Sequence, residues 1–174
     1  MRPKALDLCC GAGGWTDGLI AAGFDVVGVD VVKHKDYKGS FMQADVRTLD
    51  GRQFAGFEII VASPPCQEFS RHQMPWTRKN AKEPDMSIVK ACWRIKDEAK
   101  PKLFVMENVR AAQKWIGPAI LHRGPYYLWG DVALLPAIQA KKKESYGSRQ
   151  ADLRAKIPFE LAYAIAETAL SAQP

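Results

Sequence analysis

Short apolar runs alternate with longer stretches of helical periodicity along the first two thirds of the chain. Lys4-Ala5-Leu6-Asp7-Leu8 reads as a strand, Gly11 to Gly14 as a tight turn, and Trp15 to Ala22 as a helix ending near Gly23. Asp25 to Asp30, rich in β-branched residues, reads as a second strand. Phe41 to Asp45, Glu58 to Ala62 and Lys102 to Met106 supply three more, with a helix from about Met86 to Ala99 between the last two. Runs as uniformly apolar as Ile59-Ile60-Val61-Ala62 suit strands buried on both faces. The alternation therefore predicts an α/β fold, a mostly parallel sheet with helices on both faces.

Beyond the fifth strand the pattern weakens. Tyr126 to Trp129 and Val132 to Leu135 are expected to pair as a terminal hairpin around Gly130-Asp131. From about 136 to 156 the chain is polar and basic. A last amphipathic helix is predicted from about Pro158 to Leu170, with Phe159, Leu161, Ala162, Ile165, Ala166 and Leu170 on one buried face. With no repeat, low-complexity tract or second core, residues 1–174 are expected to form one domain.

Charge narrows the partner. Twenty-five Lys and Arg against nineteen Asp and Glu leave a formal charge of +6, which favours a polyanion. Neither a signal peptide nor an apolar span of membrane length is visible. A cytoplasmic monomer, in a bacterium or an infected host cell, is the expectation. The four cysteines, Cys9, Cys10, Cys66 and Cys92, lack metal-site spacing and read as free thiols, with no metal expected. Cys10 and Cys92 read as small buried groups.

In an open parallel sheet, ligands bind beyond the carboxyl ends of the strands. Asp7 to Gly14, Asp30, Asp45, Ser63 to Cys66 and Glu107-Asn108 all fall at such ends. The glycine turn (Gly11, Gly13, Gly14) allows a ligand close to the backbone, and Asp30 at the next strand end suits ribose hydroxyls. The full dinucleotide fingerprint is missing, and Asp7 before the turn would repel a pyrophosphate. A cationic nucleoside cofactor such as S-adenosylmethionine fits better, with Asp45 accepting from the adenine amino group. Cys9, Cys10, Trp15, Val31, Val46 and Pro64 complete the expected cofactor pocket. Cys66, held in a Pro-Pro loop after a buried strand, is placed for nucleophilic attack.

Three motifs in order then carry a family resemblance. Leu6-Asp7-Leu8-Cys9-Cys10-Gly11-Ala12-Gly13-Gly14, Ser63-Pro64-Pro65-Cys66-Gln67-Glu68-Phe69-Ser70 and Glu107-Asn108-Val109 resemble the cofactor, Pro-Cys and Glu-Asn-Val motifs of DNA cytosine-5 methyltransferases. The resemblance implies a Rossmann-like methyltransferase fold using S-adenosylmethionine, with DNA, double- or single-stranded, as substrate. It implies that Cys66 adds to carbon 6 of cytosine and that Glu107 hydrogen-bonds the ring, with Pro65 and Asn108 positioning the two. The target base must be flipped out or already unpaired. Arg71, Trp76, Arg78, Lys79 and Lys82 interleave cations with an aromatic and suit contact with nucleic acid.

Towards the carboxyl terminus the resemblance loosens. The family's Gln-x-Arg-x-Arg strand is matched only by Leu121 to Gly130, where Arg123 falls on the first arginine, which makes it the candidate cation for the target cytosine, and Pro125 on the second. Lys156-Ile157-Pro158-Phe159-Glu160-Leu161-Ala162 resembles the closing motif, yet the usual Gly-Asn-Ser is absent, so no cofactor contact carries over there. Only about 25 residues stand where relatives insert a large target-recognition domain, which predicts low or short sequence specificity. The resemblance suits a compact, phage-like or restriction-modification enzyme.

Alternatives keep the fold and change the use: the same chemistry on RNA, a nucleotide or with another sulfonium donor, or a non-catalytic or partner-dependent nucleic-acid-binding relative. A Cys protease would need a histidine paired with Cys66, and a zinc deaminase a His/Cys/Cys ligand set. Neither pattern is visible among His34, His72 and His122 and the cysteines.

Overall fold

The computed structural model describes residues 1–72, 82–132 and 156–171. A seven-stranded sheet runs in the order β3-β2-β1-β4-β5-β7-β6. Its strands are β1 (Lys4–Leu8), β2 (Asp25–Asp30), β3 (Ser40–Gln43), β4 (Ile59–Ala62), β5 (Leu103–Asn108), β6 (Leu121–Arg123) and β7 (Tyr126–Gly130). The first five pair in parallel, β7 runs antiparallel to β5, and β6 pairs antiparallel with β7. The expected mostly parallel, Rossmann-like sheet is the fold observed.

Alternation along the central strands sorts two cores. Ile59, Val61, Leu103 and Val105 face helices α1 (Gly14–Ala21) and α5 (Phe159–Ser171), joining Trp15, Leu19, Leu161 and Ile165. Ile60, Ala62, Phe104 and Met106 face the opposite way, towards Val89, Cys92 and Ile95 of α3 (Ser87–Ala99). With both faces covered, no polar alternation is needed, which is why these runs read as uninterrupted apolar sequence.

The closeness of α1 and α5 depends on two positions without side chains. A Cβ on Gly18 would lie 2.5 Å from the Ala162 Cβ and the Tyr163 nitrogen, and one on Gly14 would lie 2.5 Å from the Ile157 nitrogen. The segment entering α5 is thereby pressed against the glycine turn.

Several expectations are corrected. The terminal hairpin is β6–β7, turning at Gly124-Pro125, where Gly124 takes φ 56°. The proposed turn at Gly130-Asp131 instead ends β7 against β5: the Asp131 nitrogen donates to the Phe104 carbonyl at 2.8 Å, and its carboxylate accepts from the Phe104 nitrogen at 2.9 Å. Residues 133–135, the rest of the expected second strand, lie outside the described residues, as does nearly all of the basic stretch 136–156. The third strand stops at Gln43, because Asp45 turns away to cap a 3₁₀ turn, Val46–Thr48, accepting from the Arg47 nitrogen at 2.9 Å. Phe159, expected on the buried face of the last helix, is half exposed and stacks on Tyr163. No helix among the described residues is long and apolar enough to cross a membrane.

Candidate active site

Four strand ends meet at one cleft. After β4, the Ser63 nitrogen continues the ladder to the Leu8 carbonyl at 3.0 Å, and the Ser63 hydroxyl accepts from the Trp15 indole N–H at 2.8 Å. The chain then passes through Pro64-Pro65 to Cys66, which sits half-buried at the start of α2 (Gln67–Arg71). Asn108, 1% exposed at the end of β5, fastens this loop: its amide N–H₂ donates to the Pro64 carbonyl at 2.9 Å, while its oxygen accepts from the Val109 nitrogen at 2.8 Å. One buried amide thus holds the cysteine loop against the strand that carries Glu107, a carboxylate 7% exposed. Cys66 and Glu107 line the same cleft.

Glu107 is in register with Leu128 of β7, and therefore shares a sheet face with Tyr126 two residues away. Burial first, and then the Glu107 charge, push the Tyr126 hydroxyl up to about 12. Arg123 pairs with Tyr126 on the edge strand, outside the cleft lining, and donates to the His122 carbonyl at 3.2 Å.

At the other end of the cleft the glycine turn departs from β1. Cys9 takes φ 56°, Gly11 φ 47° and Gly13 φ 76°, the left-handed region in which a side chain is strained. The Gly11 nitrogen donates to Asp30 at 3.0 Å, and the other Asp30 oxygen accepts from the Val32 nitrogen at 3.1 Å. A carboxylate offers about four lone-pair sites, so Asp30 keeps acceptor capacity facing the cleft. The cleft encloses about 170 Å³, less than a typical ligand cavity, so a bound nucleoside would lie in an open trough.

The expected site residues separate into groups. Cys9, Cys10, Gly11, Gly14, Trp15, Asp30, Pro64, Pro65, Cys66 and Glu107 line the cleft. Asp7 does not: it is fully buried beneath the turn, accepting from the Thr16 hydroxyl at 2.7 Å, with its second oxygen unpaired. Burial raises its pKa from 3.8 to about 7. Gly13 packs beneath the Tyr37 ring instead of facing a ligand. Val46, buried at 4%, belongs to the core because its turn folds under the sheet, and Val31 stands exposed at the rim. Asp45 is held by the Arg47 guanidinium, whose hydrogen bonds keep its carboxyl below the usual range.

Among the predicted nucleic-acid contacts, Trp76, Arg78 and Lys79 lie outside the described residues. Arg71 lines a second depression, behind the Pro-Pro loop. Lys82 is exposed, and its carbonyl meets the His72 ring nitrogen at 3.0 Å. Cys10 and Cys92 are buried, as expected of small packing groups. Burial raises the Cys10 thiol, and a hydrogen bond with Cys92, followed by burial, raises that of Cys9.

Ser63 lines the cleft with the strand end that carries it, as expected; His34 and Lys156 also line it and were not anticipated there. Only Lys156 carried a signal, its position in the closing motif.

This arrangement can be set beside known proteins. A model of C-5 cytosine-specific DNA methylases matches residues 3–115. The chain belongs to that family. Its methylase core is 30% identical over 122 residues to the type II methylase M.HgiDII of Herpetosiphon aurantiacus, covering 63% of this chain and 33% of the relative. It is 30% identical over 131 residues to the type II methyltransferase M.AquIA of Picosynechococcus, covering 66% and 52%. The chain thus matches about a third to a half of the length of these two relatives. Among solved structures, a prophage-encoded E. coli protein assigned as a DNA modification methyltransferase superposes with a TM-score of 0.51 at 24% identity, covering 66% of this chain and 34% of the other. That likeness is one of fold.

Proposed function

We propose that this chain is the catalytic core of a DNA cytosine-5 methyltransferase that uses S-adenosylmethionine. The observation that carries the reading is the shared cleft: a half-buried thiol, a buried carboxylate and a glycine turn with an acidic partner, all at carboxyl ends of adjacent strands. The lining suits a sulfonium nucleoside. Asp30 offers acceptors to a ribose, and one ammonium, that of Lys156, lines the cleft among the described residues.

Bound S-adenosylmethionine supplies an electrophilic methyl group. The chain's own residues then have defined tasks. The Cys66 thiolate adds to carbon 6 of cytosine, and the electron pair of the 5,6 double bond moves to carbon 5 and the ring, making carbon 5 nucleophilic. Glu107 hydrogen-bonds the ring nitrogen and exocyclic amine, favouring the charge displaced into the ring. After carbon 5 has gained the methyl group, it loses its proton to a base, and the electrons of that C–H bond restore the double bond as Cys66 departs. Asn108 fixes the loop of Cys66 relative to the strand of Glu107, so that both reach one base. A base stacked in a duplex cannot enter this cleft, so the target is flipped out or unpaired.

The test is nucleoside mass spectrometry of unmethylated duplex and single-stranded DNA incubated with S-adenosylmethionine, comparing the wild type with Cys66→Ala. The expected result is 5-methylcytosine from the wild type only. Equal product from Cys66→Ala would remove the covalent mechanism. Absence of product despite cofactor binding would move the reading to another substrate or a partner-dependent relative.

A further inference from the structure

Asp17, in the first turn of α1, accepts from two ammonium groups at once: Lys156 at 2.6 Å and Lys38 at 2.8 Å. One carboxylate against two cations leaves a unit of positive charge beside the turn. Partial burial would raise the Asp17 carboxyl, but the Lys156 and Lys38 contacts outweigh it and hold the group below its ordinary range. The two lysines are not equivalent. The Lys38 side chain is 68% exposed and outside the cleft lining, whereas that of Lys156 is 34% exposed and lines the cleft with Gly11, Gly14 and Trp15.

Its position is held by packing as well as charge. The Lys156 Cγ lies 3.0 Å from where a Gly14 Cβ would stand, the Ile157 nitrogen is closer still, and the Lys156 carbonyl faces the Tyr126 hydroxyl at 3.4 Å. The cleft is therefore polarised, with the Asp30 carboxylate on one side of the glycine turn and an ammonium in surplus on the other.

We infer that Lys156 receives the amino-acid carboxylate of the cofactor. The inference rests on the cofactor reading above. A nucleoside whose ribose meets Asp30 extends its other end along the turn, and a carboxylate arriving there finds both the Lys156 ammonium and the N-terminal amides of an eight-residue helix. The same ammonium disfavours a chain that ends in a bare amine.

The test is isothermal titration of the full chain with S-adenosylhomocysteine and with 5′-methylthioadenosine, which keeps the adenosine and lacks the amino-acid end. Lys156→Met is expected to weaken S-adenosylhomocysteine roughly tenfold, the scale of one charged hydrogen bond at a partly exposed site. It should leave methylthioadenosine within about twofold, which also shows that the variant folds, and Lys156→Arg should recover most of the loss. Unchanged S-adenosylhomocysteine affinity, or an equal loss for both ligands, overturns the inference and leaves the cofactor reading intact. Binding of neither ligand by the wild type would overturn that reading and the inference together.

Discussion

Asp7 shows how one residue can be placed correctly in sequence and misread in role. Its position at the end of β1, just before the turn, marks it for the ligand, yet its alternation with Leu6 and Leu8 points it into the face occupied by α1. Two hydroxyls form a relay to it, Tyr37 donating to Thr16 at 2.6 Å and Thr16 to Asp7 at 2.7 Å. The orphaned second oxygen gains nothing from this, and burial raises the pKa to about 7. Between pH 4 and 7 an unfolded Asp has released its proton while the folded one retains it. Stability therefore falls as pH rises through that window, by on the order of 4 kcal/mol, and is flat in this contribution above it. Asp7→Asn removes the titration while keeping an acceptor for Thr16. Thermal melts from pH 4 to 8 should show a flatter profile for the variant and, above pH 7, a Tm higher by several degrees, after about 1–3 kcal/mol is allowed for an unpaired buried amide. Parallel profiles would mean that Asp7 is ionised at low cost, through hydration of its second oxygen. Lys156 is the opposite case. The closing motif brings it towards the cleft, but nothing local announces its ion pair, because its partner Asp17 is 139 residues away and the contact exists only once α5 is seated.

At the level of elements, legibility follows burial. β1, β2, β4 and β5 were readable to within a residue or two because strands covered on both faces carry uninterrupted apolar runs, and α3 because Val89, Cys92 and Ile95 recur on one side. β6 escaped because Leu121-His122-Arg123 is three residues long and only partly buried, an edge strand set by its partner β7. Apolar Val132 to Leu135 then offered a false partner for β7. The contact between α1 and α5 was equally invisible, since it depends on what Gly18 lacks. Gly18→Ala should force the helices apart, because the new methyl group meets the Ala162 Cβ and the Tyr163 backbone at 2.5 Å, and backbone cannot yield as a side-chain tip can. Overpacking of this kind costs about 1–3 kcal/mol. Urea denaturation should give a lower midpoint with an unchanged m-value. An unchanged midpoint would show that α5 is seated loosely enough to shift.

The whole chain sets the question of which cytosines it reaches. Between the end of β7 at Gly130 and the start of α5 at Phe159 lie 28 residues, too few for a domain of its own. Reading a site requires several side chains presented to base edges, whereas the net charge of +6 acts on phosphates without regard to sequence. We therefore predict that the isolated chain methylates cytosines with little or very short sequence preference, and that its affinity for DNA falls steeply with salt. The type II relatives it matches are two to three times longer than the shared region, so the prediction separates two arrangements. Bisulfite sequencing of a mixed-sequence plasmid treated with the chain and S-adenosylmethionine decides between them. Modified cytosines scattered over many contexts would show that the catalytic core works without a reader. Methylation confined to one site of four or more bases would mean that residues within this chain recognise sequence, and the 28-residue connection would be the first place to substitute. Product that appears only when a second polypeptide is added would assign recognition to a partner.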